Sequence, residues 1–202
     1  MPNSKYSADH VLQMLKEGNT RFVSHDREYP NQDHHRRKEI HASQEPFATI
    51  LTCSDSRAPA EHIFDAGLGD LFVVRVAGNV CTTGTIATIE FGVSALHTPL
   101  VVVMGHTNCG AVDAVLSKKE MIGSIPELLQ EIAPAVSDTN TRYPNLCYAD
   151  RLYHAVEINI HHTIAMLYEK SGYISNQIQS GLLKVIGALY DLASGRVNWF
   201  DD

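Results

Sequence analysis

Two short stretches of the chain carry residue types that could do chemistry. Residues 53–57 read Cys-Ser-Asp-Ser-Arg, and residues 105–110 read Gly-His-Thr-Asn-Cys-Gly. Thiolates and imidazoles are preferred zinc ligands, and a catalytic zinc usually has three protein ligands and one exchangeable position. Cys53, His106 and Cys109 could supply the three. Asp55 and Arg57 alternate with Cys53, so an extended backbone would place all three side chains on one side.

Both stretches follow short apolar runs, residues 47–51 and 100–104. Runs of this kind, rich in β-branched residues, are typical of buried parallel strands. Ligand sites in open α/β sheets form at the carboxyl ends of such strands. About fifty residues separate Cys53 from His106. We therefore predict that the two residues meet at the ends of adjacent parallel strands joined by crossover connections.

The remaining pattern alternates strands with helices and predicts an α/β fold. We expect a mostly parallel central β-sheet of four strands plus an edge strand, flanked by helices. The predicted strands are residues 47–52, 71–76, 100–104 and 182–189, with the edge strand at 197–200. The predicted helices are 59–64, 83–96, 110–116, 125–136, 148–168 and one that closes over 176–181, with a loop at 139–146.

The N-terminal part reads as a helical arm. Ser7 can cap an amphipathic helix whose apolar positions include Val11, Leu12 and Leu15. Residues 24–45 are polar and rich in histidine, a composition that can bind metal, but a solvated connection with a short helix fits them better. We predict one domain over residues 1–202, made of the arm and connecting segment (1–45) and a zinc-binding α/β core (46–202).

Composition narrows the function classes. The net charge of −7 disfavours a nucleic-acid surface. The four cysteines occur without a secretory signal, which favours metal or catalytic use over disulfides, with Cys81 and Cys147 as ordinary small hydrophobic residues. No apolar run is long enough to span a membrane, and no glycine-rich dinucleotide motif is present. We expect a cytoplasmic protein with no membrane partner.

Residues 75–79, between the two stretches, read Arg-Val-Ala-Gly-Asn. With these three motifs in this order the chain resembles the β-class carbonic anhydrases, and the likeness runs from about Tyr6 to the C-terminus. The resemblance implies one Zn²⁺ per subunit, carbon dioxide and bicarbonate as substrates, and a homodimer or dimer-based tetramer. It also implies that the N-terminal helix lies across a second subunit.

The family reaction is attack of zinc hydroxide on carbon dioxide, release of bicarbonate by water, and loss of a proton to buffer. The resemblance makes Asp55 and Arg57 the catalytic pair. Arg57 would hold the carboxylate through two parallel hydrogen bonds, and Asp55 would accept a hydrogen bond from the hydroxide and orient it. In the family this aspartate can swing onto zinc, so Asp55 is also a conditional ligand in a closed state.

Family positions further imply a substrate pocket formed by Gln44, Phe72, Phe91 and the Gly110 amide, reached partly from a neighbouring subunit. Phe91 stands where relatives carry a tyrosine.

The subgroup that is switched off by bicarbonate has tryptophan and glycine where this chain has Ile50 and Thr52. It shares Arg75, which could equally be structural and pair with a carboxylate such as Asp55 or Glu90. This chain therefore lacks part of the residue set through which bicarbonate inhibits that subgroup, and we expect an open site with water on zinc at neutral pH.

Two other functions stay open on the sequence. The same site could hydrolyse carbonyl sulfide or carbon disulfide, which have the shape of carbon dioxide. Alternatively, zinc could be closed off by Asp55 in a non-catalytic protein that binds bicarbonate. The presence of Asp55, Arg57 and Gln44 argues against the second reading, because a purely structural zinc needs no such neighbours.

Overall fold

A five-stranded sheet forms the centre of the computed structural model, which describes residues 5–200. The strands lie in the order β2-β1-β3-β4-β5. Four of them are parallel and β5 runs antiparallel to β4. Their bounds are β1 Ala48–Thr52, β2 Leu71–Arg75, β3 Leu100–His106, β4 Lys184–Tyr190 and β5 Val197–Trp199. The predicted fold class, a mostly parallel sheet with one edge strand, is confirmed.

The two central strands are buried along their whole length, because helices cover both faces of the sheet. One apolar cluster packs the helices at residues 83–94 and 148–170 against one face, and a second packs the helices at 8–24 and 60–63 against the other. The helices are α1 Ala8–Ser24, α2 His34–Glu39, α3 Ala60–Ile63, α4 Thr83–Ser94, α5 Gly110–Leu116, α6 Ile125–Gln130, α7 Ala133–Arg142, α8 Tyr148–Lys170 and α9 Gly172–Gln179. None of the described helices is both long and apolar enough to cross a membrane.

The prediction of one helix over 125–136 is wrong. The chain forms α6 and α7 there, and Pro126 and Pro134 each lie in the first turn of their own helix. A proline fits the start of a helix because it has no amide hydrogen to leave unpaired, whereas it would break a helix interior.

The prediction of a loop over 139–146 is also wrong in its first half, since α7 continues to Arg142. Arg142 pairs with Asp138 one turn earlier, at 2.8 Å. This i,i+4 pair supports the last turn of α7.

Helix α1 begins as the sequence predicts. The Ser7 hydroxyl accepts a hydrogen bond from the His10 amide at 3.2 Å, and Val11, Leu12 and Leu15 are buried. These three side chains belong to the cluster that contains Ile50 of β1, so the apolar face packs on the sheet of its own chain. The expectation that this helix also lies across a second subunit stays a prediction, as does the single-domain reading of residues 1–202.

Asp65 ties the end of α1 to the loop after α3. Its carboxylate accepts hydrogen bonds from Arg21 Nε at 2.7 Å, from the Glu28 amide at 2.9 Å and from the Tyr29 amide at 3.1 Å. Burial alone would raise the pKa of Asp65, but these donors outweigh it and hold the pKa below its usual value. The charged carboxylate therefore stabilises the native state above the unfolded-state pKa, and this contribution is lost as pH falls through the lower folded-state pKa.

We expect Asp65→Asn to lower the free energy of unfolding at pH 7 by about 1–3 kcal/mol, because one buried acceptor is lost and donors are left unpaired. The deficit should shrink below about pH 4, where Asp65 of the unfolded wild-type chain takes up a proton, and vanish as pH falls through the lower folded-state pKa. Urea unfolding at fixed protein concentration measures both values. Asp26→Asn is the matched control, because Asp26 is exposed and makes no side-chain hydrogen bond among residues 5–200. Equal effects of the two substitutions would contradict this account of Asp65.

Candidate metal centre

The carboxyl ends of β1 and β3 bring two thiols and an imidazole together. Thr52 is in register with Met104, so Cys53 directly follows one strand end while His106 completes the next. The turn after β3 returns Cys109 to the same place, just before α5. The three potential ligand atoms all lie within 4.8 Å of one another, and all three residues are buried. Within the part of the chain that the structure describes, no other such group could hold a metal ion.

The spacing of the two sulfurs fits a tetrahedral zinc. Cys53 Sγ and Cys109 Sγ are 3.9 Å apart. Two zinc–sulfur bonds of about 2.3 Å at a tetrahedral angle would separate the sulfurs by roughly 3.8 Å. A disulfide needs about 2.05 Å, so both thiols are free. The pair is therefore suited to sharing one ion.

His106 presents one ring nitrogen to this space. Its Nδ1 donates to the carbonyl oxygen of Thr107 at 2.9 Å, which leaves the lone pair on Nε2. Nε2 is buried and has no hydrogen-bond partner among the described residues. A buried nitrogen without a partner is costly unless it binds something. The chemistry of a metal ligand accounts for it, and the Nδ1 bond fixes the tautomer that ligation needs.

Thr107 is itself held by the segment after β4. Its amide donates to the Tyr190 carbonyl at 2.9 Å, and its hydroxyl donates to Asp191 Oδ2 at 3.4 Å and accepts from the Leu192 amide at 3.0 Å. The carbonyl that orients His106 is thereby fixed from the neighbouring strand. The motif reading missed Asp191, although an aspartate three residues before a serine is a recognisable turn signal.

The charges of the cluster suit a cation. A hydrogen bond from Cys109, opposed by burial, lowers the pKa of Cys53, and the same bond together with burial raises the pKa of Cys109. Burial opposes charge on His106, but the nearby, readily ionised sulfur of Cys53 raises its pKa. Of the two thiols, Cys53 thus ionises more readily and Cys109 holds its proton more tightly. A bound dication would displace the thiol protons, as metal binding to thiols requires.

Asp55 and Arg57 form a two-pronged pair beside the cluster. Arg57 Nε donates to Asp55 Oδ1 at 2.9 Å and Arg57 Nη2 donates to Oδ2 at 2.7 Å, while the Arg57 amide also donates to Oδ1 at 2.9 Å. These bonds hold the pKa of Asp55 well below its usual range. Asp55 Oδ2 lies 3.7 Å from His106 Nε2. A fixed carboxylate oxygen therefore borders the space between the three potential ligands.

Arg75 takes a different role from the carboxylate pairing allowed by the sequence. Its Nε and Nη2 donate to the backbone carbonyls of Cys53 and Asp55, at 3.2 and 2.6 Å. The Glu90 carboxylate instead accepts from Ser171 at 2.5 Å. Arg75 thus fixes the course of the backbone through the first motif.

Of the four predicted pocket residues, Gly110 alone lies beside the cluster within one chain. It follows Cys109 at the start of α5, and a Cβ at this position would have no atom within 4 Å. Phe72 pairs with Thr49 near the start of the strands, about 13 Å from the end where Cys53 lies at about 3.3 Å per residue. Phe72 contacts the half-exposed Phe91, with ring centroids 6.0 Å apart, and Gln44 is exposed before β1. Their place in a pocket stays a prediction about an assembly.

A family model described as carbonic anhydrase matches residues 48–197. Carbonic anhydrase 2 of Mycobacterium tuberculosis is 39% identical over 201 residues, which cover 97% of this chain and 93% of that protein. A carbonic anhydrase of Mycolicibacterium smegmatis is 38% identical, with 98% and 94% covered.

A solved structure agrees. That of the β-carbonic anhydrase CcaA superposes with a TM-score of 0.78 at 26% identity and covers 95% of each chain. Both the sequence and the fold of these carbonic anhydrases thus extend over nearly the whole of this chain.

Removing one potential ligand should abolish tight metal binding. We expect Cys53→Ala and His106→Ala to bind Zn²⁺ at least about a hundredfold more weakly than wild type, since the loss of a ligand should exceed the cost of disturbing its neighbours. Chelator competition on reduced protein measures the affinity. Cys81→Ala is the matched control, because it removes another buried thiol that lies outside the cluster. Undiminished affinity in either ligand variant would refute the assignment.

Proposed function

This chain belongs to the β-carbonic anhydrase family, and on that premise we propose that it catalyses the reversible hydration of carbon dioxide to bicarbonate and a proton. The reaction would take place at a Zn²⁺ ion held by Cys53, His106 and Cys109. The observation that carries the proposal is the approach of two thiols and an unpaired imidazole nitrogen to within 4.8 Å of one another, beside a charged carboxylate.

Zinc in such a site would lower the pKa of a coordinated water to about 7 and so supply a nucleophile near neutral pH. The chain contributes the setting for that chemistry. Two thiolates balance the charge of the dication, and burial of all three ligands excludes competing solvent from the side facing the sheet. Thr107 keeps Nε2 of His106 directed into the site through the bond to Nδ1.

Asp55 would orient the attacking water. A carboxylate held by Arg57 stays ionised and can only accept hydrogen bonds, so it fixes the direction of a donated O–H. The lone pair of that oxygen is then aimed away from Asp55 and toward the carbon atom of the substrate. The two Arg57 bonds hold the carboxylate in place, so orientation costs little during the reaction.

The same pair supports an open site. To act as a fourth ligand, Asp55 would have to give up its side-chain bonds to Arg57, of 2.9 and 2.7 Å. Charge-assisted bonds of this two-pronged kind are among the stronger ones in proteins. We therefore assign Asp55 to the catalytic role and leave the closed, non-catalytic reading to the experiments below.

We further propose that the working unit is a homodimer or a dimer-based tetramer. Within one chain Phe72, Phe91 and Gln44 lie away from the cluster, while the exposed Gly110 amide lies beside it. A second subunit that brings its own aromatic pair and amide side chain would complete an apolar pocket with a polar end. Such a pocket suits a small neutral molecule.

A stopped-flow assay of zinc-loaded protein tests the proposal, with carbon dioxide and carbonyl sulfide as parallel substrates. We expect proton release from carbon dioxide that depends on zinc and on the Cys53 thiol. Turnover of carbonyl sulfide alone would shift the assignment to the hydrolase. Stoichiometric zinc without turnover of either would favour the bicarbonate-binding reading and overturn the proposal.

Asp55→Asn should keep zinc but lose about a hundredfold or more in kcat, because the amide can no longer serve as a fixed acceptor. Asp138→Asn is the matched control, since Asp138 forms a similar two-pronged pair with Arg142 on α7, at 2.8 Å for each contact. Metal analysis and stopped-flow hydration on the same samples give both values. Full activity in Asp55→Asn would show that another group orients the water.

A further inference from the structure

Asn159 is a buried amide on a helix face that is otherwise largely apolar. It lies on α8 among Val156, Ile158 and Ile160 and is only 1% exposed. Its Nδ2 donates to the carbonyl oxygen of Gly78 at 2.8 Å. Its Oδ1 has no partner among the described residues. Burying an unpaired acceptor is unfavourable. The hydrogen bond that Nδ2 donates to Gly78 is therefore the favourable contact that this buried amide provides.

That bond ends on the turn that contacts Cys53. Gly78 lies in a 3-10 turn, Ala77–Asn79, and adopts a left-handed conformation with φ 75° and ψ 14°. Its amide donates to Cys53 Sγ at 3.3 Å. The bond from Asn159 and the bond to Cys53 thus lie on the two sides of one α-carbon. Holding the carbonyl on one side sets the direction of the amide on the other.

The packing around Gly78 leaves no room for a side chain at this position. A Cβ at Gly78 would lie 2.5 Å from Ile132 Cδ1 and 3.3 Å from Ala111 Cβ. Glycine is also the residue that adopts a left-handed conformation without strain. Because residue 78 is a glycine, its own backbone dihedrals are less restricted than those of other residues. Asn159 is placed to hold them through its bond to the Gly78 carbonyl.

We propose that Asn159 is a positioning residue for the metal centre, which holds the Gly78 turn so that its amide binds the sulfur of Cys53. An amide hydrogen bond fixes the side-chain torsion of a cysteine ligand and withdraws charge from its sulfur. Outer groups of this kind commonly change metal affinity or activity 10–100-fold. The inference rests on the proposed function only in that Cys53 is taken as a ligand.

The test uses full-length, reduced protein loaded with ¹¹³Cd²⁺ as the probe ion. In wild type we expect a scalar coupling between ¹¹³Cd and the Gly78 amide proton, passed through the N–H···S bond. Asn159→Leu should lose or sharply weaken this coupling and bind Cd²⁺ about tenfold more weakly. Thr163→Val is the matched control, since Thr163 is also buried on α8, one turn beyond Asn159. It should leave both values within about twofold, well inside the effect expected for an outer-shell group.

A role of Asn159 in helix packing alone would lower thermal stability and leave the coupling intact. Asn159→Leu with wild-type coupling and affinity therefore overturns the proposal, and so does a wild-type protein whose Cd²⁺ is bound by Cys53 without the coupling. If Asn159→Leu fails to fold, Asn159→Ala removes the donor without overpacking the site and is scored by the same two results. Cadmium bound with the coupling, together with no carbon dioxide hydration by the zinc-loaded protein, would refute the proposed function while supporting the role of Asn159.

Discussion

The parallel pairing of β1 with β3 is the constraint on which the site depends. Residues 52 and 104 are partners, so the segments that follow β1 and β3 leave the sheet side by side and in the same direction. Cys53, His106 and Cys109 then meet although about fifty residues separate the first from the others. A shift of this register by one residue would turn every side chain of a strand to the other face.

Two of the potential ligands, Cys53 and His106, are fixed by groups that bind no metal themselves. The Gly78 amide donates to Cys53, and the Thr107 carbonyl accepts from His106. Cys109 occupies the N-cap position of α5. These partners come from the segments after β2 and after β3, and α8 and the segment after β4 brace them in turn. The site is therefore held by most of the sheet and not by its own two motifs alone.

The sequence predicts the elements on which side chains have a repeating environment. Strand positions and the long helix α8 follow from buried runs and from a helical period, and the bounds differ from the structure by only a few residues. The split between α6 and α7 was missed because the apolar period continues across it, whereas Pro134 marks a new helix start and not a helix end. Proline is common both in the first turn of a helix and just past a helix end. The pattern alone therefore does not distinguish one helix from two over residues 125–136.

Some residues of the candidate site are predictable from the sequence and others are not. Cys53, Asp55, Arg57, His106 and Cys109 belong to two motifs whose chemistry is readable, and the structure brings them together. Asn159 bonds a backbone carbonyl and Asp191 a threonine hydroxyl, each far away in sequence, and a polar residue within an apolar helix stripe is the only signal for the first. Gln44, Phe72 and Phe91 are single positions without local chemistry. Their proposed place in a pocket would depend on a second subunit, which no pattern within one chain specifies.

X-ray absorption at the zinc edge of the reduced, loaded protein tests the convergence of these ligands most directly. The account predicts two sulfur neighbours at about 2.3 Å, with one imidazole nitrogen and one further light atom at about 2.0–2.1 Å. A spectrum with fewer than two sulfurs, or without imidazole scattering, would contradict it.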